Sequence, residues 1–378
     1  DAVTVEGGAI MSDHNWKKAA PEVPEEFHMK FEETLKQIEN SNIIHYKKKS
    51  RKMMIRILAT AAILCSLAVT TIVAGELFQW NDVLKKRLNP SKEQQEFLAD
   101  QGYIKGIGQS QTQNGVTITL VNTVQDQNLL YALFKIETDD SISMDDTTSF
   151  ENGLNIKIDG TSTYDMDELG SYGAGAGLAY PEGISDISPH LQYYEVSLSY
   201  NGDYDLSGKT VQMELKNLTQ GGDKTEDGEV VAEGVWKFEW TLDEIRSMMK
   251  LDVNRKCDFG GYEITVDAME LSPLKYTLYM DYEEAMKVYE DERNRFEYNG
   301  DDPGMDLTGR THIDQVRYED GTVVKMDYES GGGIGGGEEK WDEEKGIVKI
   351  SGGFAQVIDV DKLEAVHFGN VDSWLTVR

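Results

Sequence analysis

The sequence GVTITLVNTVQDQNLLYALFKIE, residues 115–137, decides the fold class of this 378-residue chain. Apolar and polar side chains alternate from Val116 onward, which is the pattern of a strand with one buried face. The polar residues 125–128 predict a turn, and the residues after them are again rich in β-branched and aromatic types. The stretch therefore predicts an antiparallel hairpin.

Similar runs follow along the chain, and turn signals separate them. We predict a first β domain over 103–249 and a second over 250–378, with a surface helix over 282–296. The short strands favour two β-sandwich-like units, although one larger continuous β domain stays open as an alternative. The runs are LQYYEVSLSY (191–200), TVQMELKNL (210–218), GVWKFEWTL (234–242), YEITVDAMEL (262–271), LKYTLYMDY (274–282), TVVKM (322–326), GIVKI (346–350), AQVIDV (355–360) and WLTVR (374–378).

Upstream of the hairpin, residues 76–102 read as a helical connector. One helix is expected to end before Asn89-Pro90-Ser91, where Pro breaks it and Ser caps a second helix that runs to about Asp100. Phe78 and Trp80 stand where the aromatic belt of a membrane interface is expected.

The preceding stretch, ILATAAILCSLAVTTIVAG at 57–75, has no charged residue. At about 1.5 Å per residue such a helix reaches roughly 28 Å, close to the ~30 Å hydrocarbon core of a bilayer. We therefore predict one transmembrane helix. The alternatives are a buried helix of a soluble domain and a cleaved signal peptide, but the region before it is far longer than a secretory n-region.

Charge divides the chain at this stretch. The whole chain has a net charge of −31, and nearly all of the acidic excess follows residue 75. Such a charge repels polyphosphates, which argues against a nucleic-acid partner. A basic cluster before the stretch places the N-terminus inside the cell and the acidic part outside a bacterial cytoplasmic membrane. The cluster comprises Lys47, Lys48, Lys49, Arg51, Lys52 and Arg56.

Residues 11–56 form the predicted cytoplasmic arm, and residues 1–10 are interpreted as translated leader ahead of a start at Met11. Pro24 and the acids after it predict a helix that runs to about Asn40. One face of this helix is apolar, and an arm this short cannot bury that face by itself. We expect it to bind a protein partner, with the membrane surface and a free tether as alternatives. The candidate partner-binding residues are Trp16, Phe27, Phe31, Leu35 and Ile38.

No motif indicates an enzyme. The glycine-rich stretches 172–177 and 330–346 lack the context of a nucleotide-binding loop and are expected to be loops. The acidic clusters of the outer part do not have the spacing of a calcium loop, and its three histidines lie far apart in sequence. We expect no catalytic residues, no metal and no cofactor.

Several segments together resemble a Gram-positive bacterial family of single-pass membrane proteins catalogued around an extracytoplasmic domain of unknown function. They are the arm WKKAAPEVPEEFHMKFEETL, the connector WNDVLKKRLNPSKEQQEFLADQGY, the hairpin and GVWKFEWTL. Members of that family are often regarded as anti-sigma factors, so the resemblance implies a sigma factor as cytoplasmic partner and signal transduction as function. The alternative is a cell-surface binding or structural protein that contacts an envelope or wall ligand and has no transcriptional role.

Overall fold

The computed structural model describes residues 80–151, 154–170, 172–179, 188–221, 228–245, 248–295, 307–328, 333–369 and 373–377. Within these ranges the protein is mainly β, which confirms the predicted fold class at that level. The predicted arm, basic cluster and transmembrane segment lie outside the described residues.

Four helices and nineteen strands are described. The helices are α1 (Asp82–Leu88), α2 (Lys92–Asp100), α3 (Tyr282–Arg295) and α4 (Leu307–Arg310). The strands are β1 (Ile104–Gln113), β2 (Val116–Asp126), β3 (Leu129–Thr138), β4 (Ser149–Phe150), β5 (Ile156–Ile158), β6 (Thr161–Ser162), β7 (Tyr172–Leu178), β8 (Leu191–Tyr200), β9 (Thr210–Gln220), β10 (Glu229–Thr241), β11 (Met249–Asp258), β12 (Glu263–Leu271), β13 (Lys275–Asp281), β14 (Ile313–Tyr318), β15 (Val323–Lys325), β16 (Glu338–Asp342), β17 (Ile347–Gly353), β18 (Leu363–Phe368) and β19 (Ser373–Thr376).

The strands form four antiparallel sheets. Sheet A has the order β1-β2-β3-β8-β7, and sheet B has the order β10-β9-β5-β6 with β4 also on β9. Sheet C has the order β11-β12-β13-β17-β16, and sheet D has the order β15-β14-β18-β19. The predicted hairpin is present as β2 and β3, paired from Val116↔Thr138 to Asp126↔Leu129.

Sheets A and B share one hydrophobic core and form the first sheet pair. Phe134 on β3 contacts Phe238 on β10 with ring centroids 5.1 Å apart, and Phe150 meets Tyr194 edge-on at 5.0 Å. Trp236 is fully buried between the two sheets. Such aromatic contacts bury large areas of apolar surface, so they are a main source of stability for this pair.

Sheets C and D share a separate core and form the second sheet pair. Phe259 contacts Phe368 with centroids 5.0 Å apart, and Leu278 and Val316 are fully buried. Helix α3 packs on this core through Ala285 and Val288. It agrees closely with the helix predicted over 282–296.

A row of glutamine side chains closes the first sheet pair along β1 and β10. The Gln111 amide donates to the Lys237 carbonyl and accepts from the Lys237 N–H at 3.1 Å. Gln113 makes the same double contact with Val235, and Gln109 donates to the Glu239 carbonyl at 2.7 Å. The free edge of β10 is thereby hydrogen-bonded by side chains in place of a neighbouring strand.

Three local predictions are wrong. Residues 330–346 were expected to be a loop, but residues 338–342 form β16, which pairs with β17. Residues 172–177 were expected to be a loop but belong to β7, because their small side chains suit an exposed edge strand beside β8. The run AQVIDV was expected to be a strand, but residues 355–359 are irregular. Its backbone is used elsewhere, since Val357 N–H donates to Leu88 O at 3.0 Å and Ile358 N–H donates to Pro273 O at 3.1 Å.

Helices α1 and α2 follow the predicted helix–break–helix pattern. The Asn81 side chain caps α1 by accepting from Val83 N–H at 2.8 Å, and Asn89 ends it in the left-handed conformation. Ser91 and Gln94 form a reciprocal capping box at the start of α2. Asn and Ser are favoured at these positions because their side chains satisfy the first free N–H groups of a helix.

Candidate functional site

A third buried group of side chains joins the two sheet pairs, and we call it the junction cluster. It combines helices α1 and α2 with the outer face of sheet A and with residues that flank the strands of sheet C. Strand β3 therefore has two buried faces, which explains why its sequence LLYALF is continuously apolar rather than alternating. The cluster consists of Trp80, Val83, Leu84, Leu88, Leu98, Tyr103, Ile104, Val124, Leu129, Tyr131, Leu133, Ala179, Leu274, Ile334 and Val357.

The end of α1 is bonded to the second sheet pair. The Gly333 N–H donates to Arg87 O at 2.8 Å, and the Val357 N–H donates to Leu88 O at 3.0 Å. These contacts satisfy carbonyls that a helix end otherwise leaves unpaired. Trp80 is 7% exposed and packs among protein side chains, so its expected place in an interfacial aromatic belt is wrong.

Beside the junction cluster, a lysine is buried between the two sheet pairs. Lys275, at the start of β13, has no exposed surface and donates from Nζ to Ser199 Oγ at 2.6 Å and to Tyr200 O at 3.0 Å. It also pairs with Glu338 Oε2 at 3.2 Å. Because Ser199 and Tyr200 belong to the first pair and Glu338 to the second, this cation binds the two pairs together.

A buried carboxylate lies close to the lysine. Asp126, at the end of β2, accepts a hydrogen bond from the Ser272 hydroxyl across the same boundary. Burial raises the pKa of Asp126 and of Glu338, and it lowers the pKa of Lys275, because each charged form loses its hydration. The ion pair and the hydroxyl contact offset part of this penalty.

A cavity of about 520 Å³ opens next to these residues. One wall is the outer face of β8 and β7, the opposite wall is the segment 333–336, and Arg87 of α1 lines it as well. Six of its lining residues are glycines, so much of its wall is backbone: Gly173, Gly175, Gly333, Gly335, Gly336 and Gly353.

The charged groups in the cavity wall are already paired with each other. Arg87 forms a salt bridge with Glu195, and the Tyr131 hydroxyl donates to the second oxygen of the same carboxylate at 2.9 Å. The wall thus offers little net charge. Burial raises the pKa of Tyr131 well above its ordinary value, so this phenol stays protonated and remains a donor.

His190, His312 and His367 do not converge. His190 contacts the Ile142 carbonyl at 3.1 Å just before the start of β8, whereas His367 contacts Asp314 at 2.6 Å in sheet D. His312 packs on Tyr328 with centroids 4.0 Å apart, and burial lowers its pKa.

The acidic clusters shape loops. Asp139 accepts hydrogen bonds from the backbone and side chain of Ser141, and Asp145 does the same with Thr147. Within the described ranges no group of three His, Cys, Asp or Glu side chains is arranged to hold a metal ion.

The predicted partner-binding residues, Trp16, Phe27, Phe31, Leu35 and Ile38, all lie outside the described residues, as does the basic cluster. The junction cluster, the Lys275 contacts and the cavity were not predicted. One signal was available, because Lys275 interrupts the otherwise buried run SPLKYTLYM, where a charge needs a partner. Its partner, 63 positions away in a glycine-rich stretch, could not be found from spacing.

These observations define a mainly β protein of several antiparallel sheets. Residues 47–138 match a family model described as domain of unknown function (DUF4179). The match supports the domain-of-unknown-function part of the sequence resemblance and covers less than half of the chain.

A crystal structure described as the conserved domain protein from Bacillus anthracis is similar at 12% sequence identity and a TM-score of 0.43. The similarity covers 70% of this chain and 76% of that one. No curated protein matches the chain. As for membrane segments, none of the helices in the described part is both long and apolar enough to cross a bilayer.

Proposed function

We propose that the chain is a membrane-anchored regulatory protein, which couples two β-sandwich-like units outside the cell to a sigma factor inside it. The charge division around residues 57–75 and the sequence resemblance support this proposal. The DUF4179 match adds support, since it runs continuously from the basic cluster to Thr138, the last residue of β3. The matched region therefore contains the predicted span, helices α1 and α2, and strands β1 to β3.

The docking of α1 is the observation that carries the proposal. Val83, Leu84 and Leu88 are at most 1% exposed, and α1 begins only seven positions after the predicted span ends. Arg87 of the same helix lines the cavity and bonds to both sheet pairs. A ligand or partner that shifts the sheet pairs would therefore act directly on the helix nearest the membrane.

In the cytoplasm, the apolar face of the arm would hold the sigma factor. Burial of four such side chains contributes roughly 1.5–3 kcal/mol each before the cost of association is subtracted. This stripe alone supports micromolar binding at best, so other arm residues such as Trp16 must contribute.

Co-purification from the native host tests the proposal. A sigma factor should co-purify with the full chain, and Phe31→Asp should abolish its recovery, because a charge then stands in the apolar stripe. Glu33→Ala, on the opposite face of the predicted helix, should leave recovery unchanged. If Phe31→Asp retains the sigma factor, the stripe is not its binding site.

The alternative function, a cell-surface binding or structural protein, is favoured by one observation. The cavity and the Lys275 contacts are built entirely from residues after position 80, so they need no arm. This alternative predicts that deletion of residues 11–46 leaves the phenotype intact, whereas the regulatory proposal predicts constitutive sigma-factor activity.

A further inference from the structure

Strand β7 has an open edge. It pairs with β8 from Tyr172↔Tyr200 to Leu178↔Tyr194, and within the described residues its other edge makes no backbone hydrogen bond. Its sequence YGAGAGL contains no charged residue and no proline, and Gly173, Ala174, Gly175 and Ala176 are exposed.

The other edges of the described sheets are protected. Glutamine side chains of β1 join that edge of sheet A to β10, the edge of sheet B, while β11 carries charges such as Lys250, Arg255 and Lys256. Strands β6, β15 and β19 have at most four residues, and β16 is mostly charged. Charge, brevity and side-chain cover are the usual means by which proteins keep an edge from pairing with another chain. Of the described edge strands longer than four residues, only β7 lacks all three.

Nothing in the described part of the chain requires the glycines of β7. None of them has a positive φ. A Cβ at Gly177 would meet nothing within 4 Å, and at Gly175 or Gly173 the nearest atom would be 3.6 or 3.7 Å away, an ordinary contact. Glycine inside a strand weakens it and often marks the close approach of another backbone or a ligand. Within the described residues, the space over the face of β7 that carries these glycines is open.

One buried acceptor also faces this space. Glu338 Oε2 is paired with Lys275 and the carboxylate also interacts with the Ser199 hydroxyl, but no well-aligned hydrogen bond reaches its Oε1 in the described structure. Oε1 lies 3.7 Å from where a Cβ of Gly173 or of Gly336 would be, and both glycines line the cavity. A donor on an incoming ligand would satisfy this oxygen. The net charge of −31 further favours a basic partner.

We propose that β7 accepts an extended, basic peptide segment of another protein as a sixth strand of sheet A. The backbone of the segment pairs with the open edge, and a side chain that carries a hydrogen-bond donor, such as lysine, enters the glycine-lined cavity near Glu338 Oε1. This mode of recognition draws affinity from main-chain hydrogen bonds and specificity from alternate side chains. The inference stands independently of the sigma-factor proposal.

Hydrogen–deuterium exchange of the full chain in mild detergent tests this with a defined probe, acetyl-Thr-Lys-Thr-Val-Lys-Val-Thr-Lys-Thr-amide. At about ten times its Kd, the peptide should slow amide exchange in residues 172–178 about tenfold. A peptide N-methylated at alternate residues keeps every side chain but loses the donors of one edge, so it should not protect β7. Replacement of the central lysine by norleucine should weaken binding.

A matched pair of variants locates the site. Ala176→Lys places a charge on the β7 edge and should weaken binding of the fluorescent peptide at least about tenfold, as edge lysines block pairing. Val323→Lys places the same charge on the exposed edge strand β15 and should leave the affinity unchanged.

Three results would overturn the proposal. The first is no protection of β7 at about 1 mM peptide, a concentration at which even weak complexes form. The second is equal binding of the N-methylated peptide. The third is concentration-dependent protection of β7 without peptide, together with a dimer in sedimentation that Ala176→Lys abolishes, because the occupant would then be a second copy of this chain.

Discussion

At the scale of single residues, Lys275 is a cation with no exposed surface. Its ammonium group has lost all contact with water and relies on Glu338, Ser199 and the Tyr200 carbonyl. Removal of one partner of such a pair leaves the other charge buried without compensation, which costs far more than the intact pair contributes.

We expect Lys275→Met to lower the free energy of unfolding by about 3–5 kcal/mol, because Glu338 is then buried without its cation. Lys275→Met/Glu338→Met removes both charges and should be less destabilised than the single variant. Urea unfolding measures both. Lys92→Met, at a lysine whose side chain is 89% exposed, serves as the control and should cost less than about 1 kcal/mol. A double variant that is less stable than Lys275→Met would contradict this account of the site.

Glu284 on α3 makes the free energy of unfolding depend on pH in the acid range. The Lys256 ammonium and the Thr265 hydrogen bonds lower the pKa of Glu284 from 4.5 to about 2. Its folded-state pKa is below its unfolded-state value, so its stabilising contribution is complete above pH 4.5 and is lost as the pH falls towards 2.

Glu284→Gln should therefore be less stable than the natural chain at pH 6, and its melting temperature should fall less steeply between pH 4.5 and 2.5, within the window set by the two pKa values. Thermal unfolding at a series of pH values measures the slope. Glu344→Gln, in an exposed turn, is the control and should leave the slope as it is. Parallel slopes for the natural chain and Glu284→Gln would show that this carboxylate does not contribute.

At the scale of elements, the contact between β1 and β10 depends on side chains that stand in for a strand. Alternate glutamines at positions 109, 111 and 113 each reach a backbone group of β10. The Gln-x-Gln-x-Gln spacing was visible in the sequence, but glutamine is compatible with any solvated strand face. Only the position of β10, more than a hundred residues later, shows what these amides bind.

Gln111→Ala should raise the exchange rate of the Lys237 amide and lower the free energy of unfolding by about 1 kcal/mol, because two hydrogen bonds to an exposed backbone are lost. Ser110→Ala, on the opposite face of β1, should leave the Lys237 amide unchanged. Exchange measured by NMR or mass spectrometry distinguishes the two. An unchanged Lys237 amide in Gln111→Ala would mean that this edge is protected in another way.

The hairpin, the main strand runs, both capped helices and the surface helix α3 could be predicted, because alternation, capping residues and turn residues are local signals. Strand β11 was missed, since its sequence MKLDVNRKCD is mostly polar at an exposed edge. The run AQVIDV was misassigned because burial on two sides makes an irregular segment look like a strand. The junction could not be predicted, as its contacts join residues far apart in the chain.

At the scale of the whole molecule, the junction cluster makes one body of the two sheet pairs. Leu84 is fully buried there, and the end of its helix bonds to Gly333 and Val357 of the second pair. A change in α1 should therefore alter the amide exchange of residues that lie some 250 positions later in the chain.

We expect Leu84→Ala to lower the free energy of unfolding by about 2–5 kcal/mol, because a fully buried side chain leaves a cavity. It should also speed amide exchange at Gly333 and Val357, which hydrogen-bond to the end of α1. Lys86→Ala, an exposed position on the same helix, should change neither by much. Unaltered exchange at both amides in Leu84→Ala would show that α1 is not coupled to the second pair.

The short segment between the predicted span and α1 also limits how far the sheets can lie from the membrane. If residues 57–75 cross the bilayer, only residues 76–79 connect the span to the buried Trp80, and four residues extend to about 14 Å at most. The strands would then lie low over the lipid headgroups, and large polymers of the outer wall could meet them only from above or from the side. A binding partner for this protein would best be sought among molecules that are themselves held at the membrane surface.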